Sequence, residues 1–337
     1  MTLLQESREG LKWSPIIFTT GGEGLVGSRF HKLISQEYAQ VTSTDIDKID
    51  ITDGEAVNHW IEKYRPDVLI NFSAMTDVRA IEKERGNLDG GAWRVNALGA
   101  ENLAEACLTN KAFLIHISTD FVFPGYPAVP EAGLFAEDAE VAQSPDEVSW
   151  YGWTKREGER LVQEKMRRGG EYVIVRITRP IRAEFERDDF ARNILKLYSE
   201  GRLYPMMNDM SASPTYIDEL TEALKRLIQI RQPLFFSQPD QRILHVVSCD
   251  QMTIFDYSDS LIRKFTGKEP MIEGVMMKDF YEQHPNMYKL PKAGLLSDYT
   301  QKLLGMRFMS CREQIEELYR QREALGLIVS RDPVFVS

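Results

Sequence analysis

Seven residues near the start of the chain, Gly21-Gly22-Glu23-Gly24-Leu25-Val26-Gly27, restrict the available folds more than any other segment. They follow Pro15 to Thr20 (PIIFTT), a short apolar run rich in β-formers. They open a helical pattern reaching from Gly24 to about Tyr38, which would bury Leu25, Val26, Phe30, Leu33 and Ile34. The spacing reads as G-x-x-G-x-x-G from Gly21 or G-x-G-x-x-G from Gly22. Either way the turn lacks Cβ crowding, lets a ligand approach the backbone closely and aims a helix N-terminus at negative charge. That is what a dinucleotide pyrophosphate requires, and Gly21, Gly24, Leu25, Val26 and Gly27 are the candidate residues to hold it.

The rhythm continues downstream. Short apolar runs at Val41–Asp45, Asp67–Asn71 (DVLIN), Ala112–Ser118 (AFLIHIS) and Tyr172–Ile177 (YVIVRI) read as strands. Between them, residues 54–64, 92–109 and 151–168 read as helices. Strands alternating with helices in this way imply an α/β fold, a Rossmann-type doubly wound parallel sheet covered on both faces. After residue 178 the pattern loosens into helices near 189–200, 217–230, 253–266 and 311–324, with a strand-like Ile243–Val247. The expected organisation is a leader over 1–14, a dinucleotide-binding domain over 15–178 and a smaller α+β substrate-binding region over 179–330. Some elements of that last region should return to the first domain. Residues 124–150, with four prolines and several acids, are too long for a simple connection and read either as an active-site flap or as a solvated excursion.

Composition narrows the partners. A formal net charge of −10 argues against nucleic-acid binding, which needs clustered Lys and Arg. Cys107, Cys249 and Cys311 are far apart and form no C-x-x-C pair, so neither a disulfide framework nor a metal site is expected. No apolar run approaches the roughly 20 residues of a membrane span, and Met1–Ser14 lacks the apolar stretch of a signal peptide. A cytoplasmic location is the expectation.

Asp45 closes the second strand, 24 residues after Gly21, where a carboxylate would accept hydrogen bonds from an adenosine ribose. A carboxylate there repels a 2′-phosphate, so NAD(H) is favoured and NADP(H) stays open. Asp47 competes for the role, and Asp50 and Ile51 are weaker candidates to flank the adenine. Tyr151-Gly-Trp-Thr-Lys155 places a phenol and an ammonium on one helical face. A free tyrosine ionises near pH ~10, and a neighbouring cation makes it a usable general acid or base. Ser118-Thr119-Asp120 ends the fourth strand, at the sheet edge where such folds place their ligands, so a hydroxyl there can orient a substrate carbonyl beside Tyr151.

Glycine turn, strand-end hydroxyl and Y-x-x-x-K in this order resemble the extended short-chain dehydrogenase/reductase superfamily. The finer resemblance is to the dTDP-4-dehydrorhamnose reductase family of sugar-nucleotide reductases. It is carried by PDVLINFSAMTDV (66–78), RVNALGAENLAEA (94–106), LIHISTDFVFPG (114–125), YGWTKREGE (151–159) and SPT (213–215), with LPKAGLLSD (290–298) a fainter match. The resemblance implies that Tyr151 protonates a C4 carbonyl oxygen while a nicotinamide delivers hydride to C4. Lys155 would bind the nicotinamide ribose and lower the Tyr151 pKa, and Thr119 would hydrogen-bond the carbonyl. Ser73 and Ala74 would line the cofactor, Thr76 and Val78 the sugar, and Asn96 would stand behind the catalytic group. Asn96 read from spacing alone is equally a helix-surface amide.

The implied activity is NAD(P)H-dependent reduction of a nucleotide-linked 4-keto-6-deoxy sugar, with a homodimer compatible. The same triad also suits a sugar-nucleotide epimerase or dehydratase with held NAD⁺. The resemblance extends, too, to a non-catalytic regulatory subunit of methionine adenosyltransferase. Two departures bear on the substrate. Arg176-Ile177-Thr178-Arg179 stands where the family has Arg-Thr-Ser-Trp, which makes Arg179 a candidate for a substrate phosphate or carboxylate, and Asp209-Met210 replaces Asp-Gln. His116 reads as a buried, hydrogen-bonded histidine, the Met206-Met207 and Met276-Met277 pairs as packing, and Glu82-Lys83-Glu84-Arg85 as a solvated face.

Overall fold

The computed structural model describes residues 14–35, 37–38, 40–128, 133–183, 186–237 and 241–322, the side chains of 232–237 excepted. The expected leader, apart from Ser14, and the end of the chain after residue 322 lie outside the described residues. Six parallel strands form the central sheet: β1 (Ile17–Thr20), β2 (Val41–Thr44), β3 (Val68–Asn71), β4 (Phe113–Thr119), β5 (Tyr172–Ile177) and β6 (Ile243–His245). Their order is β2-β1-β3-β4-β5-β6. The connection after β1 runs one way and that after β2 the other, so a crevice opens at the strand ends between β1 and β3. Open α/β sheets bind their ligands at such a switch point.

The strands are buried throughout because both faces are covered. Alternate side chains of β3 and β4 show how. Ile70 and Ile115 face α1 (Leu25–Ile34) and a later helix (Ile217–Ser237) through Phe30, Ile34, Leu224 and Leu227. Leu69 and Leu114 face the opposite layer, meeting Val57 and Ile61 of α2 (Gly54–Tyr64), Leu103 and Cys107 of α3 (Ala100–Asn110), and Val162 and Met166 of α4 (Trp150–Met166). Each fully buried aliphatic side chain contributes about 1.5–3 kcal/mol, which makes the two-faced strand pattern decisive. With the Ile217–Ser237 helix following α5 (Phe190–Ser199) as α6, the sheet recruits α6 and β6 from the C-terminal half.

A second core lies beyond the strand ends. Ile194 and Leu195 of α5, Tyr257 and Leu261 of α7 (Ile254–Thr266), and Ile315 and Leu318 of α8 (Cys311–Arg320) form it. Two-residue strand pairs stitch it together, Met206–Met207 with Gly274–Val275 and Ser211–Ala212 with Met252–Thr253.

Elements fall close to the sequence expectations, with physical reasons for the differences. The first helix ends a turn early, at Ile34. The stretch expected as one helix over 92–109 holds a short turn at Gly91–Trp93, a π-helical segment at Arg94–Gly99 and then α3. In the 124–150 segment, Leu134–Phe135 pairs with Gly294–Leu295, Phe135 stacks on Phe123 at 4.2 Å, and Glu137 accepts from the Thr300 hydroxyl at 2.8 Å. Residues 129–132 lie outside the described residues; Leu134–Glu137 pack on the C-terminal half, Ala142 to Trp150 bond to the N-terminal half, and none of the described residues of this segment lines the cavity described below. Among the described residues no helix is long and apolar enough to cross a membrane, and no cluster of His, Cys, Asp or Glu has metal-binding geometry.

Candidate active site

The ends of β1, β3, β4 and β5 surround a cavity of about 510 Å³. Gly21, Gly24, Leu25, Val26 and Gly27 line one side, and Ala74, Thr76, Val78, Thr119, Tyr151, Lys155 and Arg179 line the rest. Twelve residues singled out from the sequence therefore meet at one place.

The glycine turn fits a pyrophosphate. Gly21 adopts φ +69°, and a Cβ there would stand 2.6 Å from the Ser73 backbone nitrogen. No other residue brings β1 this near the β3 loop. Gly24 caps α1 without any side-chain hydrogen bond, so the amides of the first turn keep their donors directed at the cavity. Ser73 lies behind the turn, its amide donating to Asn71 Oδ1 at 3.0 Å, and it does not line the cavity itself.

Asp45 is tied to the same turn. Its carboxylate accepts from Glu23 N and Ile46 N, both at 3.0 Å. Asp50 accepts from the Thr52 amide at 2.9 Å, a bond that holds its carboxyl below the usual range. The Ile51 side chain is buried in the core between α2 and α3, so only its backbone is available to a ligand.

Tyr151 and Lys155 come from the first turns of α4. Ser149 starts this helix by accepting from Gly152 N at 3.0 Å. Gly152 permits its approach to the sheet, since a Cβ there would overlap the Phe121 carbonyl oxygen. Tyr151 is 8% exposed, with Phe121 edge-on to its ring at 5.4 Å. Burial pushes the phenol's pKa upward, the Thr119 hydrogen bond opposes this, and the Asp120 charge adds to the rise. The expected lowering by Lys155 is not the dominant effect here: Lys155 Nζ donates to the Ile117 carbonyl at 2.8 Å, and burial brings its own pKa down to about 8. A phenol held neutral is the form able to donate a proton.

Thr119 ends β4 beside it. Its hydroxyl donates to Asp120 Oδ1 at 3.0 Å, and Asp120 Oδ2 accepts from Thr178 Oγ1 at 2.9 Å. Asp120 is buried, with desolvation raising its pKa and Arg179 opposing that rise from 3.7 Å. Asn96 is no surface amide. It is 1% exposed in the π-helical segment, where its side chain binds Met75 and Thr154.

Two readings of single residues need correction. His116 is buried, and its Nδ1 meets Asn71 Nδ2 at 3.1 Å, but its Nε2 has no partner among the described residues. The Glu82–Arg85 run does more than face solvent. Glu82 accepts from Trp150 N at 2.8 Å, and Arg85 donates to the Pro145 and Val148 carbonyls at 2.9 and 2.8 Å, so the run anchors the start of α4. Charge alternation alone cannot reveal such contacts, since the partners are backbone atoms some 60 residues away. The cavity-lining Arg187 and Asp188, just before α5, carried no sequence signal.

A parallel sheet with a glycine-lined switch point, closed by Thr119, Tyr151 and Lys155, defines a nicotinamide-dependent oxidoreductase of the extended short-chain dehydrogenase/reductase class. More narrowly, the chain belongs to the RmlD substrate binding domain family, whose model matches residues 16–323. It is 33% identical to a dTDP-4-dehydrorhamnose reductase of Streptomyces griseus, in a match covering 63% of this chain and 65% of that protein. It is 27% identical to the Bacillus subtilis spore coat polysaccharide biosynthesis protein SpsK over 91% of this chain and 98% of that one. The fold matches a crystal structure of dTDP-4-dehydrorhamnose reductase from Bacillus anthracis in complex with NADP. That match has a TM-score of 0.75 and 24% identity, and covers 92% of this chain and 100% of the other.

Proposed function

We propose that this chain reduces the 4-keto group of a nucleotide-linked 6-deoxy sugar with NADH as the preferred donor. The observation that carries the reading is the convergence of Thr119, Tyr151 and Lys155 on the cavity that the glycine turn also lines. A bound dihydronicotinamide supplies hydride to the carbonyl carbon. The protein's part is to hold and polarise the carbonyl. Tyr151 directs its hydroxyl at that oxygen, Thr119 joins it by turning its own hydroxyl from Asp120, and Tyr151, kept neutral by burial, gives its proton to the forming alkoxide. Lys155 sits four residues on and stabilises the phenolate left behind. The first-turn amides of α1 hold the cofactor pyrophosphate, Asp45 takes the adenosine ribose, and Thr76 and Val78 border the sugar.

Purified protein given NADH and dTDP-4-keto-6-deoxy-mannose should consume NADH, and Tyr151→Phe should lower kcat by about 10²–10⁴ without weakening NADH binding. No NADH consumption with this or related keto-sugar nucleotides would refute the reading. Turnover without net NADH use would point to an epimerase.

A further inference from the structure

Arg179 is the one strained non-glycine residue among the described residues lining the cavity. Its φ is +40°, in the left-handed region that side chains avoid, and it precedes Pro180. The chain on both sides is pinned. Thr178 N donates to Thr215 Oγ1 at 3.1 Å, Thr215 N donates to the Thr178 carbonyl at 2.9 Å, and Ile181 N donates to the Thr215 carbonyl at 2.9 Å. With its flanks fixed to the Ser213-Pro214-Thr215 segment, the Arg179–Pro180 step is pushed toward the cavity. Strain of this kind persists where the surroundings over-determine it, as at ligand clamps.

The guanidinium is poorly matched by the protein around it. Its side chain is 15% exposed, yet its polar contacts are Thr178 Oγ1 at 3.2 Å, Met210 Sδ at 3.8 Å and Asp120 Oδ2 at 3.7 Å. It also lies over the Phe190 ring at 5.6 Å. A guanidinium carries five N–H donors arranged for planar oxyanions, and a buried carboxylate partner normally takes two of them at about 2.7–2.9 Å. Asp120 does not do so: it accepts from Thr119 at Oδ1 and from Thr178 at Oδ2, and its approach to Arg179 stays at 3.7 Å. The other acid on the cavity wall, Asp188, is engaged by Lys196 at 2.7 Å. Phosphates of the cofactor belong at the α1 N-terminus, whereas Arg179 stands beside Asp120, the neighbour of Thr119.

We propose that Arg179 is a specificity-determining residue that leaves Asp120 to grip an oxyanion of the substrate. This rests on the reductase reading for the identity of the site, and it adds that the substrate brings a phosphate or carboxylate close to the reacting sugar ring. The exchange replaces one long ion pair with a bidentate one, so the anion is selected by geometry as well as by charge.

Calorimetry on the full chain with NAD⁺ present tests this, using dTDP, UDP, UDP-xylose and UDP-glucuronate as probes. The last two differ by a carboxylate on the sugar. Arg179→Met should weaken binding at least ~tenfold, Arg179→Lys should restore part of it, and NAD⁺ affinity should stay unchanged in both, which controls for folding. Equal losses on all four probes assign the anion to the diphosphate. A loss confined to UDP-glucuronate assigns it to a sugar carboxylate. Wild-type affinity for every probe in Arg179→Met, or no probe binding to the wild type, would overturn the proposal. Arg179-dependent probe binding without NADH oxidation on any keto sugar would sink the reductase reading and leave this one standing. NADH oxidation whose KM ignores Arg179→Met would do the reverse.

Discussion

The Asn96 side chain clasps Met75 by both backbone groups, accepting from its N–H at 2.9 Å and donating to its carbonyl at 3.0 Å. The same amide donates to Thr154 Oγ1 at 3.0 Å, and that hydroxyl donates to the Tyr151 carbonyl at 2.9 Å. One side chain thus ties the loop after β3, which lines the cavity through Ala74, Thr76 and Val78, to the turn of α4 that carries the Tyr151 phenol. The π-helical segment makes this reach possible, because the wider turn re-aims a residue that a regular helix would direct elsewhere.

Asn96→Ala should therefore lower stability and turnover together. Leaving buried partners without a bond costs about 1–3 kcal/mol, and thermal unfolding of the variant should fall by several degrees. Because the loop and helix both lose their tether, KM for the sugar nucleotide should rise more than KM for NADH. Steady-state kinetics with each substrate varied in turn would read this, and equal changes in both would contradict it.

How far this site was legible in the sequence depended on how local each signal was. The glycine turn, the strands and Tyr151–Lys155 are encoded within a few consecutive residues, by periodicity and spacing, and the structure places them where expected. The apolar run Ala112–Ser118 located β4 to within a residue at each end, its hydroxyl-bearing end falling at Thr119. The π-helical segment was not legible, because its apolar spacing resembles that of an ordinary helix and the distortion arises from packing against α4. Nor was the anchoring role of Glu82 and Arg85, whose partners are backbone atoms at Trp150, Pro145 and Val148. The strained Arg179 was visible only as a departure from the family pattern. What it faces emerged only once Asp120, Thr178 and Thr215 were placed around it.

Gly152 offers a sharper test of packing. Any side chain there meets the Phe121 carbonyl oxygen, a backbone atom that cannot rotate away, at the turn following Thr119 and Asp120. Gly152→Ala should destabilise the fold by about 1–3 kcal/mol, the usual cost of overpacking. It should also reduce kcat by displacing Tyr151 from Thr119. A variant with wild-type melting temperature and kcat would show that α4 can retreat without consequence.

Lys155 makes stability depend on pH in a definite direction. Burial lowers its folded-state pKa to about 8, below the roughly 10.4 of an unfolded lysine. Below pH 8 the folded protein carries the full cost of a buried ammonium. Between about pH 8 and 10.4 the unfolded chain binds more protons than the folded one, so this contribution to stability rises with pH. Other groups titrate in the same range, so the useful quantity is the difference between wild type and Lys155→Met. Denaturant midpoints measured from pH 7 to 10 should show the wild type gaining on the variant as pH increases. A wild-type midpoint that stays level with or falls relative to the variant's as pH rises would mean that the Lys155 ammonium is not desolvated as its 3% exposure indicates.

The proposed preference for NADH rests on how Asp45 is held. Bonds from Glu23 N and Ile46 N fix its carboxylate at the end of β2, against the glycine turn. A ribose 2′-hydroxyl placed there gains an acceptor, whereas a 2′-phosphate meets a like charge that has no freedom to move aside. The next side chain, Ile46, is 74% exposed and offers no cation to offset that repulsion. The wild type should accordingly favour NADH over NADPH by at least ~tenfold in kcat/KM, equivalent to about 1.4 kcal/mol. Asp45→Ser should remove most of the discrimination without abolishing NADH use, since the glycine turn still holds the pyrophosphate. Adding Ile46→Arg should then reverse it, because a guanidinium beside the ribose pairs with the phosphate that the carboxylate had rejected. Equal kcat/KM for the two cofactors in the wild type would show instead that the 2′-phosphate lies beyond the reach of Asp45.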